Sequence, residues 1–261
     1  MKARSAILVP LDGSDISRRS LACASWLASR LGAPLHLLRS AGEPTADVLS
    51  AIEQYGIDSI VMTGRGESVA EQTERAFEPF GHVARAIIEQ SPVPVLVLPR
   101  GYEERFPWRS ALVPLSGEVE TDQSLSTALR LATALDLVVT VAHVVEGAHT
   151  ASRMLSSADA LHHDYPEMLN ELVARACPLC PPAERRRIAA FRVYRGDVVR
   201  GLLDEQEADV VIVGWHGFLE TGHARLVKAM LQELRCPMLL VKRRSREFFR
   251  LKVGDALARR R

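Results

Sequence analysis

Three separated stretches of the chain recur in the same order, so it must be built from two related units. ILVPLDGS at 7–14 returns as ALVPLSGE at 111–118, DSIVMTGRG at 58–66 as DVVIVGWHG at 209–217, and VPVLVLPR at 93–100 as CPMLLVKR at 236–243. The spacing between landmarks is unequal. Val9 and Val113 are 104 positions apart, Asp58 and Asp209 are 151 apart, and Pro94 and Pro237 are 143 apart. The second copy therefore gains 47 residues after its first landmark and gives up 8 before its last.

In both copies, short apolar runs bounded by Gly, Asp or Pro read as buried strands, and the segments between them carry helical periodicity. After the first strand, Ser14 or Asp15 caps a helix whose apolar face includes Leu21, Ala24, Leu27 and Leu31. Leu125, Ala128, Leu131, Ala132 and Leu135 repeat that face in the second copy. Gly32 stands where a left-handed residue is wanted after a helix. The second copy alternates strand and helix through VVTVAHVVEG, a helix near 157–176, a strand at FRVYRG, a helix at VVRGLLDEQEA and the strand VVIVG. The first copy passes from LHLLRS directly to ADVLSAIEQYG, so one helix and one strand are missing. The expected boundaries are a shortened first domain at 1–101, a second at 108–243 and a basic tail at 244–261. The segment RGYEERFPWR at 100–109, with Gly101 and Pro107, reads as a short linker.

These landmarks together resemble the universal stress protein family, and the resemblance spans nearly all of both copies. It implies an α/β fold of two Rossmann-like (adenine nucleotide alpha hydrolase-like) units with parallel sheets and strand order 3-2-1-4-5, the first unit shortened by one helix and one strand. It also implies that the last strands, PVLVLP and PMLLVK, pair within the chain as an internal pseudo-dimer.

The ligand implied by the resemblance is ATP or another adenine nucleotide, held by an Asp after the first strand and a loop of pattern G-x2-G-x9-G-(S/T). Glycines there let backbone N–H groups approach phosphates at a helix N-terminus. Matched position by position, the nucleotide-binding candidates are Pro10, Asp12, Gly66, Gly81 and His82 in the first copy, and Gly214, Gly217 and Arg225 in the second. Both copies depart from the pattern. In the first, Thr63 takes the place of the first glycine, Gly81-His82 stands for Gly-Ser, and 14 residues separate Gly66 from Gly81. That longer loop holds Glu67, Glu71, Glu74 and Glu78 against Arg75. Like charges about 4 Å apart cost about 1 kcal/mol in water and several times that near a protein surface, enough to erode micromolar binding. In the second copy Ser116 replaces the Asp and Ala224-Arg225 replaces Gly-Ser, while His216, His223 and Arg225 make the loop more hospitable to an anion.

Cys177-Pro-Leu-Cys180 is a CxxC in a helix-to-strand connection, and with His162 and His163 it supplies donors for a metal or redox site. Cys23 and Cys236 are expected to pack in cores. No Ser-His-Asp order, nucleophile elbow or H-E-x-x-H is present, so no enzyme activity beyond slow ATP turnover is expected.

Thirty-three basic residues against thirty-two acidic give a net charge of +1, which offers no bulk attraction to nucleic acid. The apolar opening run at 6–11 holds Pro10 and is too short for a secretory segment, and four cysteines suit a reducing, cytoplasmic setting. The run LATALDLVVTVAHVV carries Asp136 and His143 and falls short of a membrane span. Seven arginines from Arg243 to Arg261, with Phe248 and Phe249 among them, suit either a basic amphipathic helix or a solvated tail.

Three readings of function stay open. The preferred one is a stress-associated regulatory or binding protein with degenerate nucleotide sites, acting through surfaces and prone to homo-oligomerise through the exposed second strand of its short copy. The alternatives are a nucleotide sensor that retains one working site, and a metal or redox module on Cys177 and Cys180.

Overall fold

The computed structural model describes residues 6–64, 80–99, 101–115, 119–145, 158–195, 208–219 and 224–242. The first half comprises strand β1 (Ile7–Leu11), helix α1 (Asp15–Leu31), β2 (Leu35–Arg39), α2 (Pro44–Tyr55), β3 (Ser59–Thr63), α3 (His82–Gln90) and β4 (Val95–Leu98). The second comprises β5 (Ser110–Leu115), α4 (Val119–Leu135), β6 (Val138–Val145), α5 (Ala158–Ala176), the one-turn α6 (Pro182–Arg185), β7 (Ile188–Arg195), β8 (Val210–Trp215), α7 (Arg225–Glu233) and β9 (Met238–Lys242). The expected helix at VVRGLLDEQEA and the basic tail lie outside the described residues.

Among the described residues all nine strands join one sheet in the order β2-β1-β3-β4-β9-β8-β5-β6-β7. Within each half every pairing is parallel. The second half runs β7-β6-β5-β8-β9, the expected 3-2-1-4-5, and the first runs β2-β1-β3-β4, the same order without its outermost strand. The halves meet where β4 pairs antiparallel with β9, Leu96 opposite Leu239. Because that junction is antiparallel, the carboxyl ends of the two sets of strands point to opposite edges of the sheet.

Side chains alternate across a strand, so a sheet covered on both sides buries odd and even positions in two separate cores. Ile7, Val9, Ala111, Val113 and Leu115 face one core with Ala24 and Leu27 of α1, Leu125 and Leu129 of α4, and Leu172 of α5. Leu8, Leu112, Val211 and Val213 face the other, with Ile52 of α2, Ile87 and Ile88 of α3, and Met230 of α7. The result is a three-layer α/β/α arrangement. Helix α1 begins as its sequence implies: the Ser14 side chain accepts from the Ser17 N–H at 3.0 Å, and Gly32 closes it with φ of 62°.

Segment 101–109 forms no helix or strand, as expected of a linker, but it is not a solvated tether. Tyr102 is 8% and Trp108 2% exposed, both within the core shared by α1 and α4. Trp26 of α1 stacks on Phe106 at 4.9 Å between ring centroids and meets Trp108 at 4.8 Å.

Candidate functional site

In an open parallel sheet, ligands bind outside the carboxyl ends of the strands, where neighbouring strands part. Pro10 and Pro114 help make that parting. Strand β1 pairs with β3 at Ile7 and Leu8, and β5 with β8 at Ala111 and Leu112, whereas pairing with β2 and β6 continues past both prolines. A proline has no N–H to give to a ladder, so the partner on one side is released two residues after Leu8 or Leu112.

At the first crevice, β1 ends in Leu11 and an Asp12-Gly13-Ser14 turn into α1. Gly13 has φ of 89°, a conformation that favours glycine, and a Cβ there would lie 3.5 Å from Nη2 of Arg39, at the end of β2. The Asp12 carboxylate accepts the Ser14 N–H at 2.9 Å. Burial opposes its ionisation, but hydrogen bonds from Ser14 and Ser17 outweigh that cost and hold its pKa below the usual carboxylate value. Across the crevice, β3 runs into Gly64, whose carbonyl accepts the Gly81 N–H at 3.0 Å. Gly81 caps α3 without a side-chain bond, and exposed His82 opens the helix. Pro10, Asp12, Gly81 and His82 are thus at one edge. Gly66 lies outside the described residues.

The second edge is arranged differently. Gly214 lies inside β8, paired with Val241, while Gly217 follows the strand with φ of 95°. A Cβ on Gly217 would sit 3.2 Å from Cδ of Lys242, the last residue of β9. The Lys242 ammonium donates to the carbonyls of Glu89 at 2.5 Å and Ser91 at 3.0 Å, and lies 5.7 Å from the Trp215 ring. Glu89 completes the clasp: its carboxylate accepts the Leu219 N–H at 2.6 Å. The strand-end turn of the second half is therefore fastened to the end of α3 in the first half. This contact joins residues 130 and 153 positions apart, and neither repeat nor spacing announces it. Ala224 caps α7 in a left-handed conformation, and the Arg225 side chain is outside the described residues, as is Ser116. His143 of β6 lies beside Leu115 in register, and desolvation lowers its pKa despite a hydrogen bond to the Leu115 backbone.

Desolvation also lowers the Lys242 pKa from 10.5 to about 8, against the opposing charge of Glu89. Between those values the unfolded chain holds a proton that the folded one has released, so this group's contribution to stability rises with pH across that window and is flat below it. Burial raises the thiols of buried Cys23 and half-buried Cys236 from 9.0, so they pull the other way above pH 9. The comparison must therefore be a difference. Relative to Lys242→Met, the wild type is expected to gain on the order of 1–3 kcal/mol from about pH 8 to 10.5, measured by urea unfolding across that range.

The remaining cluster sits away from both crevices. Cys177 and Cys180 lie between α5 and α6, and their sulfurs are within 4.8 Å of each other and of a carboxylate oxygen of Glu184. Burial pushes the Cys180 thiol up to about 12, with Cys177 adding to the effect, and raises Glu184 against the favourable charge of Arg130. The side chains of His162 and His163 are outside the described residues.

A family model for universal stress proteins matches residues 107–242, more than half the chain. The chain belongs to the universal stress protein family. No curated protein matches it in sequence. Among solved structures, a universal stress protein from Archaeoglobus fulgidus is similar over 93% of this chain and all of its own, with a TM-score of 0.58 at 15% identity. A functionally unknown protein from Pseudomonas aeruginosa is similar over 90% of this chain and 80% of its own, with a TM-score of 0.52 at 13% identity. Both likenesses bear on the fold, and both extend beyond the matched second half into the first. Among the described residues, no helix of this universal stress protein is long and apolar enough to cross a membrane.

Proposed function

We propose that this universal stress protein is a stress-associated, cytoplasmic binding protein that works through protein surfaces, with neither crevice serving a nucleotide and no catalysis of its own. The observation that carries the reading is the Lys242 clasp. The stem of Lys242 covers the glycine turn at Gly217, the side from which a phosphate would need close backbone approach. In the first half, Asp12 already accepts a backbone N–H of its own turn, and four glutamates crowd the loop sequence that leads to Gly81. Pairing of β4 with β9 supports domains divided near 101–108 that act as one internal pseudo-dimer. Strand β2 is the outermost strand of the first half, with Leu37 57% exposed, and is the edge we assign to further self-association.

A nucleotide-sensing reading is favoured by one observation, the Arg39 guanidinium beside Gly13 at the edge that also holds Asp12, Gly81 and His82. Mass analysis of small molecules carried through purification, followed by thermal shift with ATP, AMP and a nonhydrolysable analogue, decides between them. The expected result is no adenine nucleotide in the purified protein and an unchanged Tm at millimolar ligand. A saturable rise in Tm that disappears in Asp12→Ala would establish the sensor instead.

A further inference from the structure

We propose that Cys177, Cys180 and Glu184 form a binding site for a zinc-type divalent cation. The local backbone assembles the donors. The Cys180 N–H donates to the Cys177 carbonyl at 2.9 Å, closing a tight turn that brings the two sulfurs to the same side. The Glu184 and Arg185 N–H groups donate to the Pro181 carbonyl at 3.0 and 3.1 Å, and this single turn of α6 returns Glu184 toward the thiols. Two sulfurs and one carboxylate oxygen then converge within 4.8 Å of one another.

The carboxylate is the deciding group. Glu184 is 2% exposed, and its Oε2 is a buried atom with no hydrogen-bond partner. A buried acceptor left unsatisfied is costly, and natural structures keep such groups where something else engages them. A Cys177–Cys180 disulfide would use both sulfurs and leave the Glu184 carboxylate without a new partner. A cation bound between the three answers all of them at once. Two thiolates select a soft or borderline metal over calcium or magnesium, and a Cys-x2-Cys pair with one further donor leaves a position for water or another side chain in tetrahedral zinc geometry. Two thiolates, one carboxylate and a divalent cation sum to one negative charge, which Arg130 of α4, the cation acting on Glu184, is placed to offset. The site lies in the stretch that only the second copy carries. A bound cation would tie α5 and α6 of that insertion together and so hold it in place against α4.

The test uses the full chain, reduced with a phosphine and freed of metal on a chelating resin, and titrated with cobalt and then zinc. One equivalent of cobalt should raise a thiolate-to-metal charge-transfer band, zinc should displace it, and saturation should raise the Tm by linkage. Cys177→Ser and Cys180→Ser should each abolish the band. Partners that only orient a metal ligand are worth about 10–100-fold in affinity, so losing a direct ligand in Glu184→Gln should weaken binding at least about tenfold. Glu184→Asp keeps the charge and should retain most of the affinity, and far-ultraviolet dichroism checks that both variants fold. Absence of saturable binding, a band that survives loss of both cysteines, affinity unchanged in Glu184→Gln, or a Cys177–Cys180 disulfide that persists under the reductant would each overturn the site.

Discussion

Trp108→Ala is expected to lower the free energy of unfolding by about 3–5 kcal/mol, the range for deleting a large aromatic side chain from a packed core. Trp108 is 2% exposed, and its ring meets Trp26 of α1 at 4.8 Å and Phe106 at 6.3 Å. Its truncation would remove the wall that the connecting segment contributes between α1 and α4, and the backbone that follows it, fixed by β5, has little freedom to collapse into the space. Urea unfolding followed by dichroism measures the loss. Arg105→Ala, three positions earlier and exposed, is the control and should move stability by no more than about 0.5 kcal/mol. A Trp108→Ala loss below about 1 kcal/mol would mean that 101–109 is an ordinary tether.

That segment also marks a limit of what the sequence discloses. Gly101 and Pro107 forbid a helix or strand, but Tyr102 and Trp108 are separated by Glu103, Glu104, Arg105, Phe106 and Pro107. Neither period 2 nor period 3.6 is present, so nothing local says that two aromatic rings turn inward. The repeat, by contrast, is legible because strands buried on both faces are continuous apolar runs, and a duplicated unit repeats them in order. The 47-residue gain placed the extra helix and strand in the second half, and the sheet has β7 outside β6 where the first half stops at β2. The site was less legible. Asp12, Gly81 and His82 are named by the family resemblance rather than by any local pattern, and they lie at the carboxyl ends of β1 and β3. Gly214 and Gly217 read as two loop glycines from their spacing, yet only Gly217 leaves the strand. The Glu89, Leu219 and Lys242 clasp depends on how two halves dock, which no local pattern encodes. No local pattern ties Glu184 to the CxxC, because it is the turn of α6, beginning two residues after Cys180, that brings its carboxylate back to the thiols.

The second large effect concerns the aspartate that opens the middle landmark in both copies. Asp209→Ala is expected to cost about 2–3 kcal/mol, because one carboxylate oxygen accepts from the Arg109 N–H at 2.7 Å, the Ser110 N–H at 3.0 Å and the Ser110 hydroxyl at 3.2 Å. Those donors lie at the amino end of β5, where the chain enters the second half, and alanine would leave two backbone N–H groups to partial solvation. The Asp209 N–H also donates to the Ser110 carbonyl at 3.1 Å, as the Asp58 N–H does to the Ala6 carbonyl at 3.0 Å, so in both halves this residue fastens the start of one strand to its neighbour. Asp209→Asn keeps one oxygen of similar reach but gives up the ionic share of three bonds, and should fall between wild type and alanine. The contrast with Asp12 separates architecture from ligand chemistry. Asp12 is exposed and its hydrogen bonds, from the Ser14 N–H and the Ser14 and Ser17 side chains, all stay within its own turn, so Asp12→Ala should cost no more than about 1 kcal/mol by the same urea measurement. If the two alanine variants lose equal stability, the strand-foot role assigned to Asp209 is wrong. If Asp209→Ala is the costlier, that repeated aspartate is accounted for by the joining of strands at the amino edge, without any bound molecule.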